Sequence, residues 1–378
     1  AEITVAEVAE ATGVDSRLIA RFYKKFGKTT KTVTVFSQGI NQSVAGTDNA
    51  NAIINCHLAT GRIGVVGAGP FSITGQPNAM GGREVGGMAN QLAAHMDFQP
   101  EHVATVETFW SAPNMATAPG AKAVELFEKM ADGKIKAIWI MATNPAVSLP
   151  DTLLVKKALA QCDFVVVSET VKQTDTSVFA DVLLPAAGWA EKDGTVTNSE
   201  RCISRQRKLV AAPGMARPDW AIIVGVARAM GFQTGFSYGS VAEVFQEHAA
   251  LSGYQNAGSR LFDISHLKDL SESDYDQLQP FHWPLSSKPF ANRQFPTSSG
   301  KARFVPVIPG PVAQKTTMEY PFVLNTGRLR DQWHTMSRTG TTAKLFAHQS
   351  HPLLEINPVD AQGIGITSNK LVRVTSQQ

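Results

Sequence analysis

Residues 135–145 read IKAIWIMATNP, in which a run of apolar and β-prone residues ends abruptly at a polar Thr-Asn-Pro sequence. A Gly turn precedes the run and a proline follows it, so the pattern predicts a buried β-strand at 135–141. A helical segment at 151–161 and strand-like segments at 164–167 and 182–184 follow. Strands that alternate with helices predict a parallel, doubly wound α/β sheet. Ligands of such sheets bind at the carboxyl ends of the strands, so the polar residues there are candidate binding groups.

The bulk composition is that of an ordinary soluble globular protein, with 378 residues of which 43% are hydrophobic and 18% are charged. The net charge of +3 is too small to indicate nucleic-acid binding, but positive groups focused in a cleft would suit an anionic ligand. No apolar run approaches the roughly 20 residues that a membrane helix needs. Cys56, Cys162 and Cys202 lie far apart and form no C-x-x-C pattern. We therefore expect no zinc site, iron–sulfur cluster or other metal ligand within this chain.

Changes in the sequence pattern suggest the domain organisation. Two helices separated by a Gly turn are predicted within 4–27, and a DNA-binding helix-turn-helix is disfavoured because no basic recognition surface follows. Residues 253–300 are irregular and rich in Ser, Asp and Pro. After residue 300 the sequence pattern changes to short strand-like segments, which predict a β-rich domain. The predicted strands of this region are 302–307, 322–324 and 371–374.

We predict three parts: residues 1–100 as the C-terminal part of one α/β domain, 101–315 as a second α/β domain, and 316–378 as the start of a β-rich domain. The sequence opens with Ala1, inside an apparent helix, and stops at Gln378 just after a strand-like segment. We interpret both ends as cuts and expect a fragment of a longer protein.

Polar residues follow three predicted strands, at 32–36, 135–141 and 164–167. Gln38-Gly39-Ile40-Asn41-Gln42 supplies amide donors and acceptors, which a polar heterocycle requires, although a simple polar turn explains the same residues. Asn144 and the Ser168-Glu169 pair stand at neighbouring strand ends. Short polar groups and a carboxylate there suit the ribose and base edge of a nucleotide. Helix capping is the alternative for each of them taken singly.

A Gly-rich stretch at 61–87 contains two motifs of unequal weight. Gly67-Ala68-Gly69 mimics the start of a dinucleotide-binding fingerprint, but Ser72 stands where the third glycine should be, so we reject that reading. The run GQPNAMGGRE at 75–84 contains one arginine, Arg83, just before a predicted helix. Arg83 suits a planar oxyanion because its guanidinium is a two-pronged donor fork. The alternative is a surface arginine paired with the adjacent Glu84.

Two later segments add positive charge. Lys192 lies in WAEKDGTVTNSER at 189–201, where it suits a phosphate, and a solvated hairpin is the alternative. The segment TGRLRDQWHT at 326–335 follows a strand-like run and combines a Gly turn, two arginines, an indole and an imidazole. That combination suits a pyrophosphate and a flat ring system better than any single residue in it does.

Taken together and in this order, the motifs resemble the molybdenum bis(molybdopterin guanine dinucleotide) oxidoreductases. That family includes nitrate reductases, formate dehydrogenases and dimethyl sulfoxide reductase, and the resemblance covers essentially the whole chain. It implies α/β domains of the dimethyl sulfoxide reductase type, followed by the start of a double-psi β-barrel that binds the molybdopterin dinucleotide. The residues that the resemblance assigns to the pterin are Gln38, Gly39, Asn41 and Gln42. Those assigned to the guanine dinucleotide are Asn144, Ser168, Glu169, Lys192 and Asp219. Those assigned to the cofactor in the barrel are Thr326, Gly327, Arg328, Asp331, Gln332, Trp333, His334 and Thr335.

Within the family, the run at 75–87 looks like that of an assimilatory-type nitrate reductase. The resemblance implies that molybdenum held by the two pterins reduces nitrate to nitrite, and that Arg83 orients the nitrate. Gln76 is a second, less secure catalytic candidate, because periplasmic relatives carry one more residue between this Gln and the Arg. The four cysteines of the family's [4Fe-4S] cluster and its molybdenum ligand belong to a region upstream of everything in this chain. The fragment alone is therefore expected to be inactive.

The resemblance also implies partners and a location. The expected partners are nitrate and an electron donor, namely ferredoxin, flavodoxin or an NADH-linked reductase subunit, with no nucleic acid. The expected location is the cytoplasm, with the periplasm left open. Two alternatives remain at this point: a formate dehydrogenase on the same scaffold, and a cofactor-free relative that serves as a structural subunit of a redox complex.

Overall fold

The computed structural model describes residues 3–285, 289–308, 310, 312 and 314–377. The chain divides into two compact units, each built from two separate segments. Unit 1 comprises Ala1–Lys122 and Ala187–Pro311, and unit 2 comprises Ala123–Ala186 and Val312–Gln378. These bounds differ from the three-part division suggested by the sequence, which stays a prediction. No helix in the described part of the chain is both long enough and apolar enough to cross a membrane.

The α-helices of the described residues are α1 (Val5–Thr12), α2 (Ser16–Lys28), α3 (Gln38–Asn41), α4 (Gly46–Ala59), α5 (Ala79–Glu84), α6 (Pro100–Trp110), α7 (Ala123–Ala131), α8 (Pro145–Ser148), α9 (Thr152–Gln161), α10 (Asp219–Ala229), α11 (Val241–Gly253), α12 (Glu272–Gln277), α13 (Ala343–Phe346) and α14 (Pro358–Gly363). The strands are β1 (Val33–Phe36), β2 (Gly69–Ser72), β3 (Ala137–Met141), β4 (Phe164–Glu169), β5 (Val182–Pro185), β6 (Gly194–Thr197), β7 (Cys202–Gln206) and β8 (Phe281–His282). Short 3-10 turns lie at Ala93–His95, Ser177–Phe179, Trp189–Glu191, Ser265–Leu267 and Thr339–Thr341.

Unit 2 contains the sheet that the opening stretch predicts. Strands β3, β4 and β5 are parallel neighbours in that order, with Ile140 opposite Val167 and Val167 opposite Leu183. Helices α7 and α9 cover the sheet, and Asp151 caps α9 by accepting a hydrogen bond from Leu154 N at 3.0 Å. The hydrophobic core of this unit lies between the sheet and these helices, which is typical of a parallel sheet covered by helices. Its members are Phe127, Met130, Ile140, Ala146, Val155, Ala158, Leu159, Val165 and Val167. The doubly wound α/β prediction is confirmed here.

Unit 1 contains two small sheets. In one, β1 runs parallel to β2, with Val33 opposite Gly69. In the other, β6 and β7 form an antiparallel hairpin, and β8 pairs with β7. The core lies around α6, α11 and the segments beside them. Its buried members are Leu92, Ala93, Ala94, Met96, Val103, Val106, Ile203, Ala242, Phe245, Ala249, Leu251, Phe262, Ile264, Tyr275 and Trp283.

The N-terminal helix pair of unit 1 forms as its capping residues predict. Thr4 and Glu7 make a reciprocal capping box at the start of α1, and Gly13 ends that helix in the left-handed region at φ 68°. Arg62 is buried, donates a 2.5 Å hydrogen bond to the carbonyl of Thr29, and also bonds the carbonyl of Phe26. One side chain from after α4 therefore satisfies carbonyls at the end of α2, which the helix itself leaves without partners.

The strands predicted at 302–307, 322–324 and 371–374 are wrong. A β-strand requires a hydrogen-bonded neighbour, and in the described residues none of these segments pairs with another. Their apolar side chains stand in solvent, for example Val323 at 82% exposure and Leu371 fully exposed. The described part of 314–377 holds short helices instead. The sequence also predicts a short helix at 174–180, and this prediction is wrong, because only one 3-10 turn, Ser177–Phe179, forms there.

Candidate functional site

The Gln38–Gln42 segment follows β1 directly, at the carboxyl end of that strand. The sequence predicts an open polar loop, whereas the structure folds it into the single helical turn α3, closed by Gln42 N on the carbonyl of Gln38 at 2.8 Å. Gly39, Asn41 and Gln42 remain exposed. Gly46 sits so close to this turn that an added Cβ would overlap the carbonyl oxygen of Asn41. The turn is thus packed in place while its amide groups still face solvent.

Arg83 lies in the last turn of α5, the short helix that follows the Gly-rich stretch. It is exposed, and its guanidinium forms no ion pair or hydrogen bond with any residue that the structure describes. Its own backbone carbonyl accepts a hydrogen bond from Gln91 Nε2 at 2.9 Å, which fixes the end of the helix. Gln76 is also exposed, and its Oε1 accepts from Thr74 Oγ1 at 2.7 Å. The Arg83 guanidinium therefore has its donors available to a ligand, while the hydrogen bond from Gln91 holds the Arg83 backbone in place.

Glu84 does not pair with Arg83, which overturns the alternative reading of that arginine. The Glu84 side chain turns inward and is only 2% exposed. Its two carboxylate oxygens accept from Thr197 Oγ1 at 2.8 Å and from Trp283 Nε1 at 2.7 Å. Burial raises the pKa of this carboxyl, and the two hydrogen bonds oppose that rise. Asn78 adds a third link, since its Oδ1 accepts from Thr197 N at 2.8 Å.

Lys192 and Asp219, both predicted to hold the dinucleotide, lie together in unit 1. Their side chains form a hydrogen-bonded ion pair, and each remains 28–30% exposed. Lys192 follows a 3-10 turn and leads into β6, whereas Asp219 begins α10. The alternative reading of 189–201 as a hairpin is also correct in part, because β6 and β7 form one. The hairpin and the cation are compatible, since Lys192 stands just before it.

In unit 2, Asn144 comes directly after β3 and is nearly buried at 6% exposure. Its Oδ1 accepts from the fully buried hydroxyl of Thr176 at 2.6 Å, and its Nδ2 donates to Thr335 Oγ1 at 3.2 Å. Thr176 in turn accepts from Ala146 N at 3.1 Å. The structure thus brings together two residues that the sequence assigns to the cofactor from positions 191 apart, Asn144 and Thr335.

Ser168 and Glu169 end β4, beside Asn144, but their side chains differ in what they can reach. Ser168 is 1% exposed, and its Oγ accepts from the Trp139 indole N–H at 2.8 Å. Its hydroxyl therefore binds a buried group of the protein and does not face solvent. Glu169 is half-buried, and among the described residues its hydrogen bonds are those of Oε1, which accepts from the N–H and the hydroxyl of Thr170 at 2.7 and 3.0 Å. Of this pair, Glu169 therefore has an acceptor oxygen to offer a ligand.

The 326–335 segment of unit 2 is largely exposed. Thr326, Gly327 and Arg328 stand in solvent, and no ion pair of Arg328 occurs among the described residues. The Asp331 carboxylate instead pairs with Arg330 at 3.1 Å and with His348 at 2.9 Å. Other contacts order the C-terminal half: Gln332 Oε1 accepts from Thr339 Oγ1 at 2.7 Å, and the rings of Trp333 and His334 stand edge to face at 4.4 Å.

Each unit, taken by itself, holds polar and charged groups of the kinds that a polar heterocycle or a phosphate requires. Unit 1 offers the amides of α3 and the Lys192 ammonium, and unit 2 offers the Glu169 carboxylate, the Arg328 guanidinium and the His334 imidazole. Amides and a carboxylate match the edges of a pterin or guanine, and cations match a pyrophosphate. In the described part of the chain, no group of three His, Cys, Asp or Glu side chains could hold a metal ion.

Sequence reasoning missed the groups that support Arg83. Trp283 and His95 lie in no motif, Thr197 lies in the 189–201 segment without being a candidate there, and Trp283 is 199 residues from the Glu84 that it contacts. Only the fold brings these positions together. One local sign exists in the backbone, because Ala94 and His95 both adopt positive φ values, 55° and 59°, which non-glycine residues rarely do. The sequence alone does not reveal this conformation.

Replacing Asn144 by alanine is expected to lower the free energy of unfolding by about 1–3 kcal/mol, because the buried Thr176 hydroxyl would lose its acceptor. Asn144→Asp keeps that acceptor but places a carboxylate at a nearly buried position, so we expect a loss of similar size. Urea unfolding of the purified protein measures both. The control is Thr176→Val, which removes the same hydrogen bond. If Thr176→Val weakens guanine-dinucleotide binding as much as Asn144→Ala does, Asn144 does not contact the cofactor itself.

Residues 3–229 match the family described as "Molybdopterin oxidoreductase", and residues 322–378 match the "Molydopterin dinucleotide binding domain". The first match covers more than half of the chain and contains α3, Arg83, Asn144 and the Lys192–Asp219 pair. The second contains the 326–335 segment. The two matches together include every residue that the sequence assigns to the cofactor or the substrate.

Individual relatives agree with these matches. A nitrate reductase from Klebsiella oxytoca is 50% identical over 98% of this chain and 43% of its own length, and one from Shewanella frigidimarina is 46% identical over 99% and 41%. An F420-dependent formate dehydrogenase subunit alpha from Methanocaldococcus jannaschii is less similar, at 33% identity over 97% of this chain and 53% of its own. The chain thus spans less than half the length of both nitrate reductases.

Among solved structures, acetylene hydratase from Pelobacter acetylenicus is similar in fold. Its TM-score is 0.52 at 20% identity, and the match covers 67% of this chain and 36% of the hydratase. At this identity the likeness concerns the fold alone.

Proposed function

Because the chain belongs to the molybdopterin oxidoreductase family, we propose that the full-length protein reduces nitrate to nitrite, with Arg83 as the residue that holds the nitrate. One observation carries this proposal: the Arg83 guanidinium is exposed and has no partner among the described residues, while its only adjacent carboxylate is buried against Thr197 and Trp283. A fixed cation with free donors suits a small planar anion. The names of the more similar relatives favour nitrate over formate.

When bound, the cofactor would be molybdenum held by two molybdopterin guanine dinucleotides, which supplies two electrons and takes one oxygen atom from nitrate. The balanced reaction consumes two protons and yields nitrite and water. The residues proposed to hold the pterin parts are Gln38, Gly39, Asn41 and Gln42. Those proposed to hold the dinucleotide parts are Asn144, Glu169, Lys192, Asp219, Arg328 and His334, with Ser168, Thr326, Gly327, Asp331, Gln332, Trp333 and Thr335 supporting them.

Arg83 would act in two ways. Its fork of N–H donors orients the nitrate, and its charge stabilises the negative charge that concentrates on the oxygens of the departing nitrite. Gln76, exposed on the same Gly-rich stretch, is a second proposed contact through its amide. The electrons would come from a ferredoxin, a flavodoxin or an NADH-linked subunit, by way of a [4Fe-4S] cluster outside this chain. A cytoplasmic location also stays a prediction.

The test is nitrite formation from nitrate by the full-length protein with reduced methyl viologen as donor. We expect one nitrite for every two electrons consumed, and loss of the activity when cells are grown on tungstate instead of molybdate. Formate oxidation without nitrite formation would replace this proposal by the formate dehydrogenase alternative. Absence of pterin fluorescence after oxidation of the denatured protein would instead indicate a cofactor-free structural subunit.

A further inference from the structure

The segment beside α5 holds an unusual turn. Leu92 N donates to the carbonyl of Met96 at 2.8 Å, and Met96 N donates back to the carbonyl of Ala93 at 3.2 Å. Between them, Ala94 and His95 both lie in the left-handed region, at φ 55° and 59°. Two consecutive non-glycine residues in this region are strained, and such strain persists where the surrounding structure imposes it, which is frequent at binding sites. The turn fixes the direction in which His95 projects.

This turn packs directly on the end of the Arg83 helix. Gly86, at φ 73°, leaves no room for a side chain, since a Cβ there would lie 2.5 Å from Ala93 N. Gln91, just before the turn, donates to the carbonyl of Arg83 at 2.9 Å. Arg83 and His95 therefore stand on two short segments that are packed and hydrogen-bonded to each other.

The His95 ring is held by aromatic neighbours but has no polar partner. Its centroid lies 5.4 Å from that of Phe262 and 5.5 Å from that of Trp283, whose indole N–H holds Glu84. Neither ring nitrogen makes a hydrogen bond with a described residue. Burial, and then the charge of Arg83, lower the pKa of His95. The imidazole is thus neutral at neutral pH, with one N–H donor uncommitted.

The charges around His95 agree with a neutral ring. His248, from α11, is also neutral, because burial and then the nearby His95 lower its pKa to about 4. Glu84 faces the cluster only through Trp283, with both oxygens engaged. Arg83 is the cation whose charge acts on His95, and the imidazole supplies a neutral N–H donor on the segment packed against the Arg83 helix.

We propose that His95 is a second nitrate-binding residue, which donates its ring N–H to the anion held by Arg83. The proposal rests on the proposed function and deepens it. Two donors on separate segments give a small planar anion two directions of contact, so the pair fixes its orientation as well as its position. The Phe262–Trp283–Glu84 contacts hold the imidazole in place before the anion arrives.

The test compares variants of the full-length protein. His95→Gly removes the ring and suits the left-handed backbone, so it separates loss of the donor from backbone strain. We expect KM for nitrate to rise about tenfold, as for the loss of one hydrogen bond to an anion, while kcat changes less. His95→Gln keeps an N–H donor and should restore most of the affinity. The matched control is His102→Leu, a histidine of α6 that pairs with Asp97 instead.

A second readout is independent of turnover: the nitrate concentration that raises the melting temperature by a fixed amount, which scales with Kd. We expect it to increase about tenfold in His95→Gly and to stay unchanged in His102→Leu. If His95→Gly matches the control in both measurements while Arg83→Ala still weakens nitrate binding, the role of His95 is refuted and the proposed function stands. If the unmodified protein neither reduces nor binds nitrate, the proposed function fails instead.

Discussion

Substitution of Arg83 by alanine in the full-length protein is expected to lower kcat/KM for nitrate about 100-fold or more, through a higher KM and a lower kcat, because Arg83 is proposed both to bind nitrate and to stabilise the charge on the departing nitrite. The reason is the two-pronged contact, since each hydrogen bond to a charged group contributes substantially and alanine removes all of them. Arg83→Lys keeps the charge but loses the fork, so we expect an intermediate loss of about tenfold. Nitrite formation over a range of nitrate concentrations separates the two parameters.

The control for this substitution is an arginine that has the same charge and exposure but lies elsewhere. Arg17 on α2 is exposed and belongs to no proposed contact. Arg17→Ala changes the net charge of the protein by the same amount as Arg83→Ala, so it corrects for long-range electrostatics. Equal kinetics for the Arg83→Ala and Arg17→Ala proteins would show that Arg83 does not hold the substrate.

The second large effect concerns stability and comes from Glu84. Replacing it by alanine should lower the free energy of unfolding by about 2–4 kcal/mol, because the buried N–H of Trp283 and hydroxyl of Thr197 lose their acceptors at once. Glu84→Gln keeps an oxygen for Trp283 and an amide N–H for Thr197, without a buried charge. We therefore expect it to be close to the unmodified protein at neutral pH. Nitrate affinity should follow the same order, since Glu84 anchors the helix that carries Arg83.

The pH dependence separates the charge of Glu84 from its hydrogen bonds. Burial raises the pKa of the folded-state carboxyl above its ordinary value of 4.5, so between those two pKa values the folded protein binds more protons than the unfolded chain. The contribution of Glu84 to the free energy of unfolding is therefore greatest at low pH, and it decreases as the pH rises through the raised pKa. The Glu84→Gln protein should not show this decrease in the free energy of unfolding, because glutamine does not titrate. Urea unfolding from pH 4.5 upward measures it, and identical slopes for both proteins would contradict the interpretation.

The sequence predicted the elements that local pattern and capping determine. The strands predicted at 135–141 and 164–167 pair in a parallel sheet, and the helix predicted at 151–161 covers it, because apolar runs of this kind need burial. Thr4 and Asp151 cap helices for reasons that lie within four residues of each of them. In these places the local preference and the tertiary structure agree, so the prediction succeeded.

The prediction from sequence failed where a residue or strand far away in the chain determines the local structure. The apolar segments at 322–324 and 371–374 look like strands, but strand formation depends on a neighbour that the pattern does not specify. Glu84 and Ser168 look like surface or ligand groups from their polarity. Both are committed to indole N–H groups far away in sequence, Trp283 and Trp139, and only the fold brings those donors close.

The Lys192–Asp219 ion pair also determines what an arriving phosphate must do. With its charge already matched by Asp219, Lys192 adds almost no net field at this point of unit 1. A phosphate that binds here competes with a carboxylate already in contact with the ammonium, so the gain is an exchange of anions and depends on the remaining contacts of the dinucleotide. Free phosphate or sulfate lacks those contacts. If Lys192 and Asp219 hold the dinucleotide as proposed, this exchange would favour the complete dinucleotide over free anions, because only the dinucleotide makes the remaining contacts.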